Sequence, residues 1–238
     1  SLSHRIQLEG RNDEFRELAD SFDAMLSRLE AQVAEQQRFA ANASHELRTP
    51  ITPIRGYADL LRRRWDRMSE EKRNKVLDTI EERANHLTRL VDDLLIAARA
   101  STDTTLRVEM QSVDVVALVR EAATAFPDAE GRITIEDVPP LLVLADPTRL
   151  VQIIGNLVGN ALKYTPAGTQ IDLTFGAGDP VEVRVTDHGP GIAADEQERV
   201  FERFYRIEDP LTMRTGGSGL GLHISRELAR AMGGDVRL

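Results

Sequence analysis

The apolar period changes once along this chain, and that change limits its architecture more than any other feature. Up to about residue 100, apolar side chains recur at helical spacing. Beyond Ser101-Thr-Asp-Thr-Thr105, short strand-like runs alternate with helical ones. A helical part followed by an α+β part, joined by that polar linker, is therefore expected.

In the first part, Phe15, Leu18, Phe22, Met25 and Leu29 follow a 3-4-3-4 spacing with charged residues between them, the seam of a coiled coil. Such a helix calls for a partner, although one amphipathic helix packed on its own domain would show a similar stripe. A second helix is read over about 35–65. The polar run Arg62-Arg-Arg-Trp-Asp-Arg-Met-Ser69 reads as a turn, with Ser69 an N-cap ahead of Glu70 and Glu71. A third helix runs to about residue 100 on a stripe of Val76, Ile80, Leu87, Leu90, Leu94 and Leu95. Two antiparallel helices bury too little alone. Two copies close a four-helix bundle, so a homodimer is expected. Past the linker, the pattern predicts a helix over 114–125 and strands over 132–136, 141–144, 170–175 and 181–186. A helix over 147–164 is introduced by Asp146.

The formal net charge of -9 argues against broad nucleic-acid binding, which shows a basic surplus. No cysteine is present, so disulfides and thiolate metal sites are excluded and a reducing compartment is expected. No apolar run reaches the ~18 residues that would span a bilayer. No signal peptide opens the chain, which begins already inside a helical pattern, as a piece of something longer would.

Phe39-Ala-Ala-Asn-Ala-Ser-His45-Glu46-Leu-Arg-Thr49-Pro50 offers an imidazole beside a carboxylate on a helix. Spacing of four puts His45 and Thr49 on one face, and spacing of three keeps Glu46 near Thr49. A neutral imidazole is a competent nucleophile near pH 7. When one ring nitrogen attacks phosphorus, the proton on the other becomes acidic, and Glu46 can accept it. Pro50 and Pro53 leave the carbonyls of Glu46 and Thr49 without helical partners, so a bend or pliable turn is expected there. His4, His86, His188 and His223 are read as solvated side chains. A zinc helix would need a second histidine where Thr49 stands, and Ser44-His45 has no triad geometry.

Three later segments suit a nucleoside triphosphate. In Asn156-Leu-Val-Gly-Asn160-Ala-Leu-Lys163-Tyr164 two amides share a helix face, fit for magnesium shared with phosphate, and a cation and an aromatic ring follow. Asp187-His-Gly189-Pro-Gly191 places a carboxylate, able to accept from a purine amine, beside a glycine turn. Gly216-Gly217-Ser-Gly219-Leu220-Gly221 precedes a helix and forms an anion-binding loop. It is neither a dinucleotide fingerprint nor a Walker loop. Residues 208–215 read as a lid over the nucleotide. Each segment alone is weak; their order behind the His45 segment is specific.

That order resembles the sensor histidine kinases of two-component signalling, over the whole chain. The resemblance implies a multidomain fold: an all-α helical hairpin forming a dimeric four-helix bundle, then an α+β Bergerat-fold (α/β sandwich) ATP-binding domain. It implies a HAMP second helix and coiled-coil linker over 1–36, with Gly10 and Asp13-Glu14 in place. A dimerisation and histidine-phosphotransfer domain would occupy 37–104, and an ATP-binding domain 109–238. Carried over by position, His45 is the phosphoacceptor and Glu46 its base, while Thr49 positions water for removing phosphate from the partner. Asn160 holds magnesium, and Asn156 supports phosphate or metal. Lys163 and Tyr164 contact nucleotide, and Asp187 takes the adenine amine. Gly189, Gly191, Gly217, Gly219, Leu220 and Gly221 form the surrounding loops, and Arg214 is a phosphate contact. ATP and Mg2+ are the implied ligands, and a response-regulator receiver domain is the implied partner. The implied location is the cytoplasmic face of a bacterial membrane, reached through upstream segments absent from this chain. The resemblance also implies a first HAMP helix ahead of these residues and an edge strand beyond Gly233-Gly-Asp-Val-Arg-Leu238, neither of which this sequence includes.

Two other readings stay open. An ATPase of the same nucleotide fold explains the last three segments but leaves His45-Glu46 idle. A dimeric signalling scaffold or phosphatase regulated by ATP fits the same residues. Transfer of phosphate to a receiver domain separates a kinase from the first of these, and net dephosphorylation would favour the second.

Overall fold

The computed structural model describes residues 14–100, 106–129, 131–207 and 217–238. Gly10, Asp13, the linker at 101–105, the lid at 208–215, Arg214 and Gly216 lie outside the described residues. The chain divides into two compact units, 1–87 and 88–238.

The first unit is built from helix α1 (Glu14–Arg64) and most of α2 (Glu70–Ala100). The two helices expected over 15–29 and 35–65 are one continuous helix. Residues 30–37, Glu-Ala-Gln-Val-Ala-Glu-Gln-Gln, hold no glycine or proline to stop it, and they are mostly strong helix formers. Helix α1 also remains unbroken through Pro50 and Pro53. Around them, hydroxyls bond back to the helix: Ser44 Oγ donates to the Ala40 carbonyl, Thr49 Oγ1 to His45 and Thr52 Oγ1 to Arg48, at 2.8, 3.1 and 3.0 Å. The seam side chains Leu18, Phe22, Met25 and Leu29 are 43–67% exposed on the single chain.

The turn is held by contacts that the sequence does not announce. A 3-10 turn over Trp65–Arg67 ends α1. Arg73 then reaches back, donating from Nε to the Trp65 carbonyl at 2.9 Å with its guanidinium 4.8 Å from the indole centroid. Ser69 caps α2 through the Lys72 amide at 3.4 Å, as expected.

The second unit surrounds a mixed sheet. Strands β2 (Ile133–Ile135), β4 (Ile171–Gly176) and β5 (Glu182–Thr186) lie in the order β2-β4-β5, the first pair parallel and the second antiparallel. A separate antiparallel pair joins β1 (Gln111–Asp114) to β3 (Leu142–Ala145). Strand β1 is not among the expected strands, and its last residue, Asp114, is where the expected helix begins. Its polar Gln-Ser-Val-Asp has no strand signature and is extended only because β3 pairs with it. Helix α3 (Val115–Thr124) follows, capped by Asp114, whose Oδ1 accepts from the Val116 and Leu141 amides at 3.1 Å each. Helices α4 (Pro147–Tyr164) and α5 (Gly221–Ala231) complete the layer.

The core joins Val115, Val116, Val119 and Ala122 of α3 to Ile154 and Val158 of α4 and Leu173 of β4, all at most 4% exposed. Helix α3 thus belongs to the same hydrophobic unit as the sheet and the later motifs. Fully burying each of these branched side chains contributes roughly 1.5–3 kcal/mol before entropy.

Asp93, on the part of α2 that lies in this second unit, is mostly buried and receives Gln152 Nε2 of α4 at 3.5 Å. Burial, reinforced by neighbouring Asp92, pushes its carboxyl up to about 6. The unfolded chain loses this proton at lower pH than the folded one, so stability falls as pH rises from about 4 to 6 and is flat above. Asp93→Asn is expected to stabilise the protein by about 1–3 kcal/mol at pH 7.5 and by almost nothing at pH 4. Denaturant unfolding at the two pH values checks this; equal midpoints for both proteins at pH 7.5 would refute it.

Candidate functional site

Helix α4 is the spine of the site. Asp146 caps it, accepting from the Arg149 amide at 3.1 Å, and Pro147 follows at the first turn, where its missing N–H costs nothing. The same carboxylate accepts from the Glu109 amide at 2.9 Å. One face packs into the core through Ile154 and Val158, and another carries the polar residues singled out above.

Along that polar face the helix meets two segments in turn, the glycine loop with the start of α5 and the turn at Gly189. Asn156 Nδ2 donates to the Gly221 carbonyl and to the fully buried Ser225 hydroxyl, both at 3.4 Å, so this amide ties α4 to the start of α5. One turn on stands Asn160, half-buried. Lys163 Nζ donates to the Tyr164 hydroxyl at 2.8 Å and lies beside Gly217, where an added Cβ would come within 2.6 Å of it. At the helix end, the Tyr164 carbonyl and Thr165 hydroxyl back onto Gly189, 3.2 and 3.7 Å from where its Cβ would be. Asn156, Lys163 and Tyr164 thus touch or closely approach segments 25 to 69 residues away.

Asp187 follows β5 and is exposed. Its Oδ1 accepts from the Gly189 amide at 2.7 Å, which fixes the carboxylate and leaves Oδ2 for another donor. A Cβ at position 189 would lie 2.8 Å from Oδ1 and 3.2 Å from the Tyr164 carbonyl oxygen, so a side chain there would displace the carboxylate. Gly191 takes φ +74 just beyond. In the later loop the Gly219 carbonyl accepts from the Phe204 amide at 3.0 Å, and Leu220 N donates to Ser218 Oγ at 3.3 Å. Leu220 itself is fully buried, so its side chain belongs to the core and only its backbone faces the loop.

His223 is not the solvated side chain expected of it. Its Nδ1–H donates to the Phe201 carbonyl and its Nε2 accepts from Arg203 Nε, both at 3.0 Å. Burial is the main cause that pushes its pKa down; the Phe201 carbonyl opposes this and Arg203 adds to it. Arg226, one turn on, lies 4.4 Å from the Phe201 ring centroid and bridges Glu198 at 2.9 Å and Asp235 at 3.1 Å. These ties hold residues 198–203 against α5. Single charged residues on a helix give no sequence signal for them.

In the first unit, His45 is highly exposed and Glu46 Oε1 stands 3.9 Å from its Nδ1, a gap that a small side-chain rotation closes. His86 and His188 are exposed, as expected, with His188 Nε2 3.8 Å from Asp172 Oδ2. Among the described residues, no cluster of three His, Asp or Glu side chains is arranged to hold a metal ion by itself.

Two family descriptions match the chain. Residues 35–103 match the His Kinase A (phospho-acceptor) domain, and residues 145–238 match the histidine kinase-, DNA gyrase B-, and HSP90-like ATPase. The chain belongs to the sensor histidine kinases. The sensor histidine kinase YkoH of Bacillus subtilis is 34% identical over 227 residues, 94% of this chain and 49% of that protein. The crystal structure of full-length ShkA in complex with AMPPNP is 36% identical, with TM-score 0.55, over 83% of this chain and 41% of that one. The histidine kinase AdeS of Acinetobacter baumannii is 25% identical, with TM-score 0.59, over 79% of this chain and 86% of that one. The chain spans about half the length of the curated kinases it matches. His45, Glu46 and Thr49 fall inside the phospho-acceptor match, and the residues of α4, Asp187 and the glycine loop fall inside the ATPase match. Among the described residues, no helix of this histidine kinase is long and apolar enough to cross a membrane.

Proposed function

We propose that this chain is the phosphoryl-transfer core of its kinase: it transfers the γ-phosphoryl group of ATP to His45 and then to an aspartate of a response-regulator receiver domain. The observation that carries the reading is the convergence on α4. One helix brings an amide, an ammonium and an aromatic residue against the glycine loop and the Asp187 turn. The first unit separately exposes an imidazole beside a carboxylate.

Each residue has a role that follows from its setting. Asp187 Oδ2 accepts from the adenine amine while Oδ1 stays on the Gly189 amide. Lys163, Asn156 and the backbone around Gly217, Gly219, Leu220 and Gly221 hold phosphate oxygens, Tyr164 packs on the nucleotide, and Arg214 adds a cation from the lid. Asn160 offers its amide oxygen to Mg2+, which, when bound, neutralises phosphate charge. Glu46 faces Nδ1 of His45, so Nε2 is the nucleophile: it bonds to phosphorus, ADP leaves, and Glu46 takes the Nδ1 proton. Thr49, one turn along, serves removal of phosphate from the receiver aspartate.

The domain boundaries are 1–36, 37–104 and 109–238. The last begins earlier than the matched ATPase residues because α3 is part of the same core. The exposed seam of Leu18, Phe22, Met25 and Leu29 is covered by a second copy, giving a homodimer. Segments upstream of this chain place it at the cytoplasmic face of a membrane.

Incubation with magnesium and γ-labelled ATP tests the reading. Acid-labile, alkali-stable label that moves to a receiver domain is the expected result, and acid-stable label would overturn it. Asn160→Ala is expected to weaken ATP binding about tenfold in magnesium, or ~1.4 kcal/mol, and far less in EDTA. Equal magnesium-ATP affinity in the variant would remove Asn160 from this role.

A further inference from the structure

Thr165 ends α4, its amide donating to the Ala161 carbonyl at 3.1 Å, and Pro166 follows, keeping it extended with φ -95 and ψ 138. That backbone turns the side chain inward. The residue is 5% exposed, and its Oγ1 is a buried polar side-chain atom with no hydrogen-bond partner among the described residues. Buried hydroxyls are nearly always bonded, and leaving one unmade opposes folding. A valine here would fill the same space without that cost.

The location of the hydroxyl gives it a use. Oγ1 and Asp187 Oδ1 flank the same glycine, 3.7 and 2.8 Å from the position of a Cβ on Gly189. Oδ1 already takes the Gly189 amide at 2.7 Å, and a carboxylate oxygen accepts a second donor readily.

We propose that Thr165 is a positioning residue for base recognition, its hydroxyl donating to the Asp187 carboxylate, directly or through one water, once a purine occupies the site. This rests on the assignment of Asp187 to the adenine amine. A carboxylate anchored by an amide on one side and a hydroxyl on the other keeps Oδ2 turned toward the base as a pure acceptor. A 6-amino purine presents a donor there. A 6-oxo purine presents an oxygen, which repels it. Thr165 therefore sets the preference for ATP over 6-oxo nucleotides without touching phosphate.

The test is calorimetric binding of ATP and of inosine triphosphate to Thr165→Val, Thr165→Ser and Asp187→Asn, with thermal unfolding of each nucleotide-free protein. Thr165→Val is expected to lose about tenfold in ATP affinity but at most about threefold for inosine triphosphate, while Thr165→Ser stays within about threefold of the parent for ATP. The nucleotide-free Thr165→Val protein should melt no lower than the parent. Unchanged ATP affinity in Thr165→Val, or an equal loss for both nucleotides, would overturn the proposal. A lower melting temperature in the nucleotide-free valine variant would also overturn it, assigning the hydroxyl to the fold. Asp187→Asn separates the two levels. If it weakens ATP binding while Thr165→Val does not, only the Thr165 proposal fails. If neither variant weakens it, the adenine assignment fails too.

Discussion

Replacing His45 with glutamine is expected to abolish labelling by γ-labelled ATP, a loss on the order of 10³-fold or more, while ATP affinity stays within about threefold. Glutamine is a good helix former, and the His45 side chain is 79% exposed, so the substitution removes chemistry and leaves packing alone. An amide nitrogen has no basic lone pair and cannot form the phosphoryl bond. The residues proposed to bind nucleotide, on α4 and the loops beside it, lie in the other compact unit and keep their contacts. The measurement is a labelling time course beside a binding titration for the same two proteins. Persistent acid-labile label in the variant would move the acceptor elsewhere. Lost label with lost ATP affinity would mean that the substitution acts on the fold.

The second large effect is at Gly219. This residue has φ +69, a left-handed conformation that costs an ordinary side chain about 1–2 kcal/mol. Its carbonyl is clamped to the Phe204 amide at 3.0 Å. An added Cβ would lie 2.8 Å from the Phe204 carbonyl carbon, 2.9 Å from its Cα and 2.9 Å from the Tyr205 carbonyl oxygen. These are backbone atoms and cannot swing aside. Phe204 itself has φ +60, so the strand of chain that would have to move is already in an unfavourable conformation. Gly219→Ala is therefore expected to destabilise the nucleotide unit by about 3–5 kcal/mol, or to lift the loop and weaken ATP binding roughly a hundredfold. Gly191→Ala is the control. It has a similar φ of +74 but nothing within 4 Å of the added atom, so only the conformational cost of about 1 kcal/mol applies. Thermal unfolding and a fluorescent-nucleotide titration read both effects. Equal behaviour of the two alanine variants would show that the Phe204 clamp is unimportant.

The two-part architecture, the capped helix at Pro147–Tyr164 and the four strands at 133–135, 142–145, 171–176 and 182–186 were legible because their signals are local. Asp146 and Pro147 mark a helix start by the chemistry of its first turn, and a 3-4 apolar spacing marks a helical face whatever lies elsewhere in the chain. The candidate residues for nucleotide binding could be singled out for a related reason. Amide, carboxylate and glycine types at fixed offsets constrain what one helix and two loops can present to a ligand. Tertiary structure decided the rest. Gln111–Asp114 is a strand only because Leu142–Ala145 lies beside it. His223 is half-buried and bonded at both ring nitrogens only because Phe201 and Arg203 close over it. Leu220 faces the core and Asn156 bridges to Ser225 because α5 packs against α4. The Thr165 hydroxyl is significant only through its nearness to a turn two dozen residues away. Backbone propensity and periodicity depend on neighbours within about four positions. Burial, tautomer and hydrogen-bond pairing depend on contacts that close long loops, and no single stretch of sequence records them.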